Sequence, residues 1–152
     1  YIERHAPGSV VQDCLPLVQH LLNKTDIRVM REDRASRLVL MNRTELQQVV
    51  INLIVNAIHA MPDGGTLTLR SFDADRDGSP GIAVEVGDSG IGMSADVVDK
   101  VFDPFFTTKR REGTGLGLSI SQTLVKRQRG QITVESEIGS GSTFRIWLPE
   151  AS

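Results

Sequence analysis

The chain has 152 residues, of which 39% are hydrophobic and 24% charged, and its net charge is −2. That suits one soluble domain with a real core and offers no general attraction to nucleic acid or to an anionic membrane surface. The single cysteine, Cys14, excludes an internal disulfide and a multi-cysteine metal cluster and fits a reducing compartment.

No run is long enough for a transmembrane helix, and no signal peptide is visible. The first residue is Tyr1 rather than Met, so a fragment or processed product is expected. Residues 1–8 show no clear period and contain Pro7-Gly8, which reads as a linker. Ser9 followed by Gln12 resembles a capping box, and Val10, Val11, Cys14, Leu15, Val18, Leu21 and Leu22 recur at helical spacing. Pro16 conflicts with an unbroken helix, so the helix either kinks there or starts later with Asp13 as cap. Ile27 and Val29 mark a short strand, and residues 38–41 a second.

The next segment is the most regular. Behind an Asn42 cap, with Glu45 three residues on, Leu46, Val49, Val50, Leu53, Ile54, Ala57, Ile58 and Met61 form one apolar helix face. Asn52, Asn56 and His59 fall at i, i+4 and i+7 and make a second stripe beside it. Asparagine competes for backbone hydrogen bonds and suits helix interiors poorly, so two in register suggest a ligand; a solvated polar edge is the plainer alternative. Pro62-Asp63-Gly64-Gly65 stops the helix. Leu67 and Leu69 mark a strand, and Ile82, Val84 and Val86 its antiparallel partner across an acidic turn over residues 73–81. The acids in that turn do not match the EF-hand spacing.

The second strand runs into Gly87-Asp88-Ser89-Gly90-Ile91-Gly92-Met93. Asp88 is a carboxylate at a strand end that can accept from an exocyclic amine, with Ile91 and Met93 as apolar walls for a flat ring; an ordinary Asp-Ser-Gly turn is the alternative. Ser94 caps a short helix through Val101. Then Gly113, Gly115 and Gly117 alternate with Thr114 and Leu116, behind Lys109, Arg110 and Arg111. Alternating glycines feeding a helix start offer bare N–H groups to a phosphate, so the stretch reads as a basic lid over a nucleotide; a flexible surface loop with ordinary turn glycines is the plainer alternative. That helix is expected from Gly117 to about Arg129, stopped by Gly130. Ile132 and Val134 mark a strand, Gly139-Ser140-Gly141-Ser142-Thr143 a turn, and Phe144, Ile146 and Leu148 alternate in a last strand.

In this order and spacing the motifs resemble the catalytic, ATP-binding domain of sensor histidine kinases, within the superfamily that includes gyrase B, Hsp90 and MutL. Asn52-Leu53-Ile54-Val55-Asn56 is similar to the family's asparagine box and Asp88-Ser89-Gly90-Ile91-Gly92 to its first glycine box. Phe102-Asp103-Pro104-Phe105-Phe106 is similar to its phenylalanine box and Gly113-Thr114-Gly115-Leu116-Gly117 to its second glycine box. The likeness covers residues 9–150, with 151–152 as a tail, and in style is nearest the nitrogen-regulation and dicarboxylate-sensing kinases. It implies a two-layer α/β sandwich of the Bergerat type, a mixed sheet covered on one face by helices.

The resemblance also assigns roles. Asn56 would hold Mg²⁺ on the ATP phosphates, Asn52 would support that site, and His59 would face the phosphates. Asp88 would accept from the adenine amino group, with Gly92 and Thr143 nearby. Lys109 and the backbone at Gly113, Gly115 and Gly117 would cradle phosphates. Ala60, Gly90, Ile91, Met93, Thr108, Thr114, Leu116 and Leu118 would complete the nucleotide site. Hydrolysing members of the superfamily carry a glutamate one turn before the metal asparagine; here that position is Asn52, which cannot take a proton.

The resemblance therefore points to transfer of the γ-phosphoryl group to a histidine on a separate dimerisation hairpin, and on to a response regulator. His5, His20 and His59 lack the acidic neighbour of a phosphoacceptor, so that hairpin is expected outside this chain, with residues 1–8 as its tail. A serine kinase or ATPase of the same superfamily, or a nucleotide-binding module without catalysis, are the alternatives. No nucleic-acid or direct membrane contact is expected. The expected localisation is cytoplasmic, whether or not the full-length protein is membrane-anchored; the isolated domain is expected to be monomeric and the full kinase a homodimer.

Overall fold

A computed structural model of the chain describes residues 3–103 and 117–151. The apolar stripe read behind Asn42 is the centre of it. Arg43–His59 forms one helix, Asn42 accepts the Glu45 N–H on its side-chain oxygen at 2.9 Å, and Leu46, Val49, Val50, Leu53, Ile54, Ala57, Ile58 and Met61 are all buried. In chain order the elements are β1 (Glu3–His5), α1 (Pro7–Lys24), β2 (Ile27–Asp33), β3 (Val39–Met41), α2 (Arg43–His59), β4 (Gly65–Asp73), β5 (Gly81–Asp88), α3 (Ala95–Lys100), α4 (Gly117–Arg127), β6 (Gln131–Glu137) and β7 (Gly141–Pro149).

Five strands form a mixed sheet in the order β2-β4-β5-β7-β6, parallel at β2–β4 and antiparallel elsewhere. Period-two alternation puts Leu67, Leu69, Val84, Val86, Phe144, Ile146 and Leu148 on one face, in a single apolar core with α1, α2 and α4. The expected two-layer architecture is therefore present, helices on one face. The other face carries Arg70, Glu85 and Arg145 from three adjacent strands. Glu85 accepts from both arginines, and both guanidinium groups lie over Phe72. Cys14 lies inside the core; burial, then the Asp13 charge, pushes its thiol up to about 11, so it stays protonated at neutral pH.

Three local expectations are corrected. Residues 3–5 are not linker but strand β1, antiparallel to β3, too short to show a period. Neither Ser9 nor Asp13 caps α1: Ala6 is the extended cap and Pro7 takes the first helical position, where its missing N–H would have no partner anyway. The helix then runs through Pro16, which is exposed. At the end of α4 the left-handed residue is Arg129 (φ 64°), not Gly130, whose N–H donates to Val125 O at 3.0 Å to close the turn. Asp73 and Asp75 of the β4–β5 turn are engaged within the fold: Asp73 accepts from Ser36 and the Arg37 N–H, and Asp75 pairs with Arg37.

Candidate functional site

The site is built where the glycine-bearing turn after β5 meets the end of α2. Helix periodicity sets Asn52, Asn56 and His59 along one stripe; Asn52 and Asn56 are half-buried and His59, the last helical residue, is exposed. Asn52 Nδ2 donates to Gly117 O at 3.3 Å and to Ser121 Oγ at 3.1 Å, which ties α2 to the first turn of α4. At the other end of the stripe, Ala60 O accepts the Ile91 N–H at 3.0 Å. This contact requires glycine beside it: a Cβ at Gly90 would stand 2.0 Å from Ala60 O. A Cβ at Gly92, which sits at φ 72°, would stand equally close, 2.0 Å, to Glu137 O. These glycines let backbone lie on backbone, which is how the turn after β5 is fixed against α2 and β6.

Asp88 ends β5 inside this arrangement. Its Oδ1 accepts the Gly90 N–H at 2.9 Å and the Ser142 N–H at 3.3 Å, and no partner for Oδ2 exists among the described residues. Burial holds the carboxyl above the usual carboxylate range, against the opposing pull of those two N–H groups. One oxygen is thus pinned by the backbone and the other left for an outside donor. Ile91 is 64% exposed, and Met93 is half-buried against the core, its N–H held by Ser136 Oγ at 2.8 Å. Phe102, the first residue of the phenylalanine box, meets the Phe144 ring edge-on at 6.1 Å.

The structure thus brings together Asp88, Gly90, Ile91, Gly92, Met93 and Ala60, and separately Asn52, Gly117 and Leu118 on the adjoining side of α2. Thr143 pairs with Gly87 and lines a cavity of about 270 Å³ whose walls include Thr68, Glu85, Asp88 and Ser89. In the strand register the direct partner of Asp88 is Ser142. The signal was present in the sequence, since Ser142 is in phase with the inward Phe144, Ile146 and Leu148. Ser142 Oγ is itself 2.7 Å from Ser136 Oγ, which donates to Gly141 O. Ser121 was also missed; its position on the buried stripe of α4 with Leu124 and Val125 was legible, its partner was not. Thr108, Lys109, Gly113, Thr114, Gly115 and Leu116 lie outside the described residues.

Residues 41–152 match the family model described as histidine kinase-, DNA gyrase B-, and HSP90-like ATPase. The chain belongs to this family. Within it the chain is similar to sporulation kinase E of Bacillus subtilis (strain 168), at 36% identity over 98% of this chain and 20% of that protein. It is also similar to the sensor histidine kinase ZraS of Escherichia coli (strain K12), at 46% identity over 68% of the chain and 21% of that protein. The nucleotide-free catalytic domain of histidine kinase ThkA superposes with a TM-score of 0.85 at 30% identity, over 99% of this chain and 96% of that one.

The chain thus spans about a fifth of the length of the two curated relatives. It is a catalytic, ATP-binding domain of the histidine kinase type, and the described residues include Asp88, the α2 stripe and the start of α4. No helix among them is long and apolar enough to cross a membrane.

Proposed function

We propose that this domain positions ATP so that its γ-phosphoryl group passes to a histidine nitrogen on a separate helical hairpin, for relay to a response-regulator receiver domain. The bond from the γ-phosphorus to the bridging oxygen breaks, a phosphorus–nitrogen bond forms, and ADP leaves. Asp88 Oδ2 accepts from the adenine amino group, and Ile91 and Met93 bound the ring. Asn56 holds Mg²⁺ through its side-chain oxygen and Asn52 supports the same site, with His59 facing the phosphates. Amide oxygens suit this ion, and Asn52 Oδ1 has no partner among the described residues. Magnesium, when bound, neutralises phosphate charge in a reaction that depends on positioning more than on covalent help.

The observation that carries the reading is at position 52. It holds an amide whose N–H groups are already given to α4, not a carboxylate able to activate water. Attack by water is therefore slow, and the phosphoryl group is kept for a better nucleophile. The test is to mix the chain with Mg-ATP and the phosphoacceptor hairpin of its own full-length kinase. Acid-labile phosphate on the hairpin, lost when Asn56→Ala is used, is the expected result. No such phosphate overturns the reading, and rapid phosphate release by the chain alone would make it an ATPase instead.

A further inference from the structure

The start of α4 contains a hydroxyl that none of the family's motifs accounts for. Ser121 lies one helical turn after Gly117 on the face that enters the core; it is fully buried (0% exposed), among Leu124 and Val125. A serine there must have a partner, because a buried unpaired hydroxyl costs as much as a lost hydrogen bond. Its partner is Asn52 Nδ2, at 3.1 Å. The other contact of the same nitrogen, Gly117 O at 3.3 Å, is to an atom that can only accept. The amide is thereby oriented: nitrogen toward α4, oxygen away from those two contacts. A flipped amide would set its oxygen against a carbonyl oxygen.

We infer that Ser121 is a positioning residue for the nucleotide site: by accepting the second N–H of Asn52 it locks that side chain with Oδ1 presented to the magnesium–phosphate group. The inference rests on the role given to Asn52 above. Gly117 O alone leaves the amide free to swing about one hydrogen bond; with Ser121 Oγ the plane is held at two points, so the oxygen is preorganised before the ligand arrives. Ser121 touches neither metal nor nucleotide in this reading. Its effect passes through Asn52 only.

That dependence on Asn52 sets the test. Binding of a non-hydrolysable ATP analogue is measured by calorimetry with magnesium and with EDTA, for the parent chain, Ser121→Ala, Asn52→Ala and the double variant. Ser121→Ala should weaken binding roughly three- to tenfold with magnesium, what one neutral hydrogen bond is worth, and leave binding in EDTA unchanged. On the Asn52→Ala background it should add nothing. In the nucleotide-free protein, the Asn52 side-chain amide protons should exchange slowly with solvent in the parent and quickly in Ser121→Ala.

Equal losses with and without magnesium, or full additivity with Asn52→Ala, would make Ser121 merely structural and overturn the inference. Unchanged amide exchange would do the same. If the parent itself gains nothing from magnesium, the reading of Asn52 and Asn56 fails, while the exchange measurement still decides whether Ser121 holds the amide. Should Ser121→Ala not fold, Ser121→Cys keeps the volume with a far weaker acceptor and should give the same pattern.

Discussion

Asp88 gives one carboxyl oxygen to the fold and, in the function proposed above, the other to the ligand. Its Oδ1 closes the turn after β5 and joins it to β7, and its burial makes the ionised form costly. Between the ordinary carboxylate value and the raised folded one, the native chain binds more proton than the unfolded chain, so Asp88 takes stability away as pH rises through that window. Asp88→Asn removes the buried charge and still offers an oxygen to the Gly90 and Ser142 N–H groups. Thermal melts at neutral pH should therefore give an unchanged or higher Tm. The amide nitrogen then takes the place of Oδ2 and meets the adenine amino group donor to donor, and affinity for ATP analogues should fall by about tenfold or more. In the parent, nucleotide binding should weaken as pH falls through the raised carboxyl value. A variant that folds and binds as before would take adenine recognition away from Asp88.

At the scale of elements, α2 and α4 contrast. The limits, cap and buried face of α2 follow from local chemistry: Asn42 at one end, Pro62 and two glycines at the other, and an apolar stripe without a miss. The expected end of α4, about Arg129, is two residues past its observed end at Arg127, because Gly130 is the obvious stop signal and Arg129 is not. Arg129 sits at φ 64°, where a side chain is strained, and glycine has no such penalty. Arg129→Gly should raise stability by about 0.5–1 kcal/mol, read as an upward shift of the denaturant midpoint with an unchanged m-value. A lower midpoint would mean that Arg129 makes a favourable contact outweighing its strain.

At the scale of the molecule, the short strand β1 forms a separate two-stranded sheet with β3. Pairing of β1 with β3 sets His5 beside Arg43, the first residue of α2, with His5 Nδ1 3.2 Å from its guanidinium nitrogen. The same guanidinium donates to Ser9 Oγ and Asp13 on α1. Strand β1 and helices α1 and α2 thus share one arginine. Deleting residues 1–5 removes the β3 partner and one ligand of that arginine, and should lower Tm by several degrees, about 1–2 kcal/mol for a chain of this size. An unchanged Tm would return those residues to the linker expected from their lack of period.

The sequence by itself determined what depends on near neighbours along the chain. It carried the α2 face, the strand alternation that builds a one-sided sheet, the glycine turns, and the amide at position 52 that argues against hydrolysis, because cap, period and turn are written within a few residues of one another. Tertiary structure alone decided that a three-residue strand pairs with β3, and that Ser121 takes the Asn52 amide from a helix 69 residues away. Those contacts join segments far apart in the chain, and each depends on the register or rotation of an element, which no local pattern records until the sheet and helices are assembled.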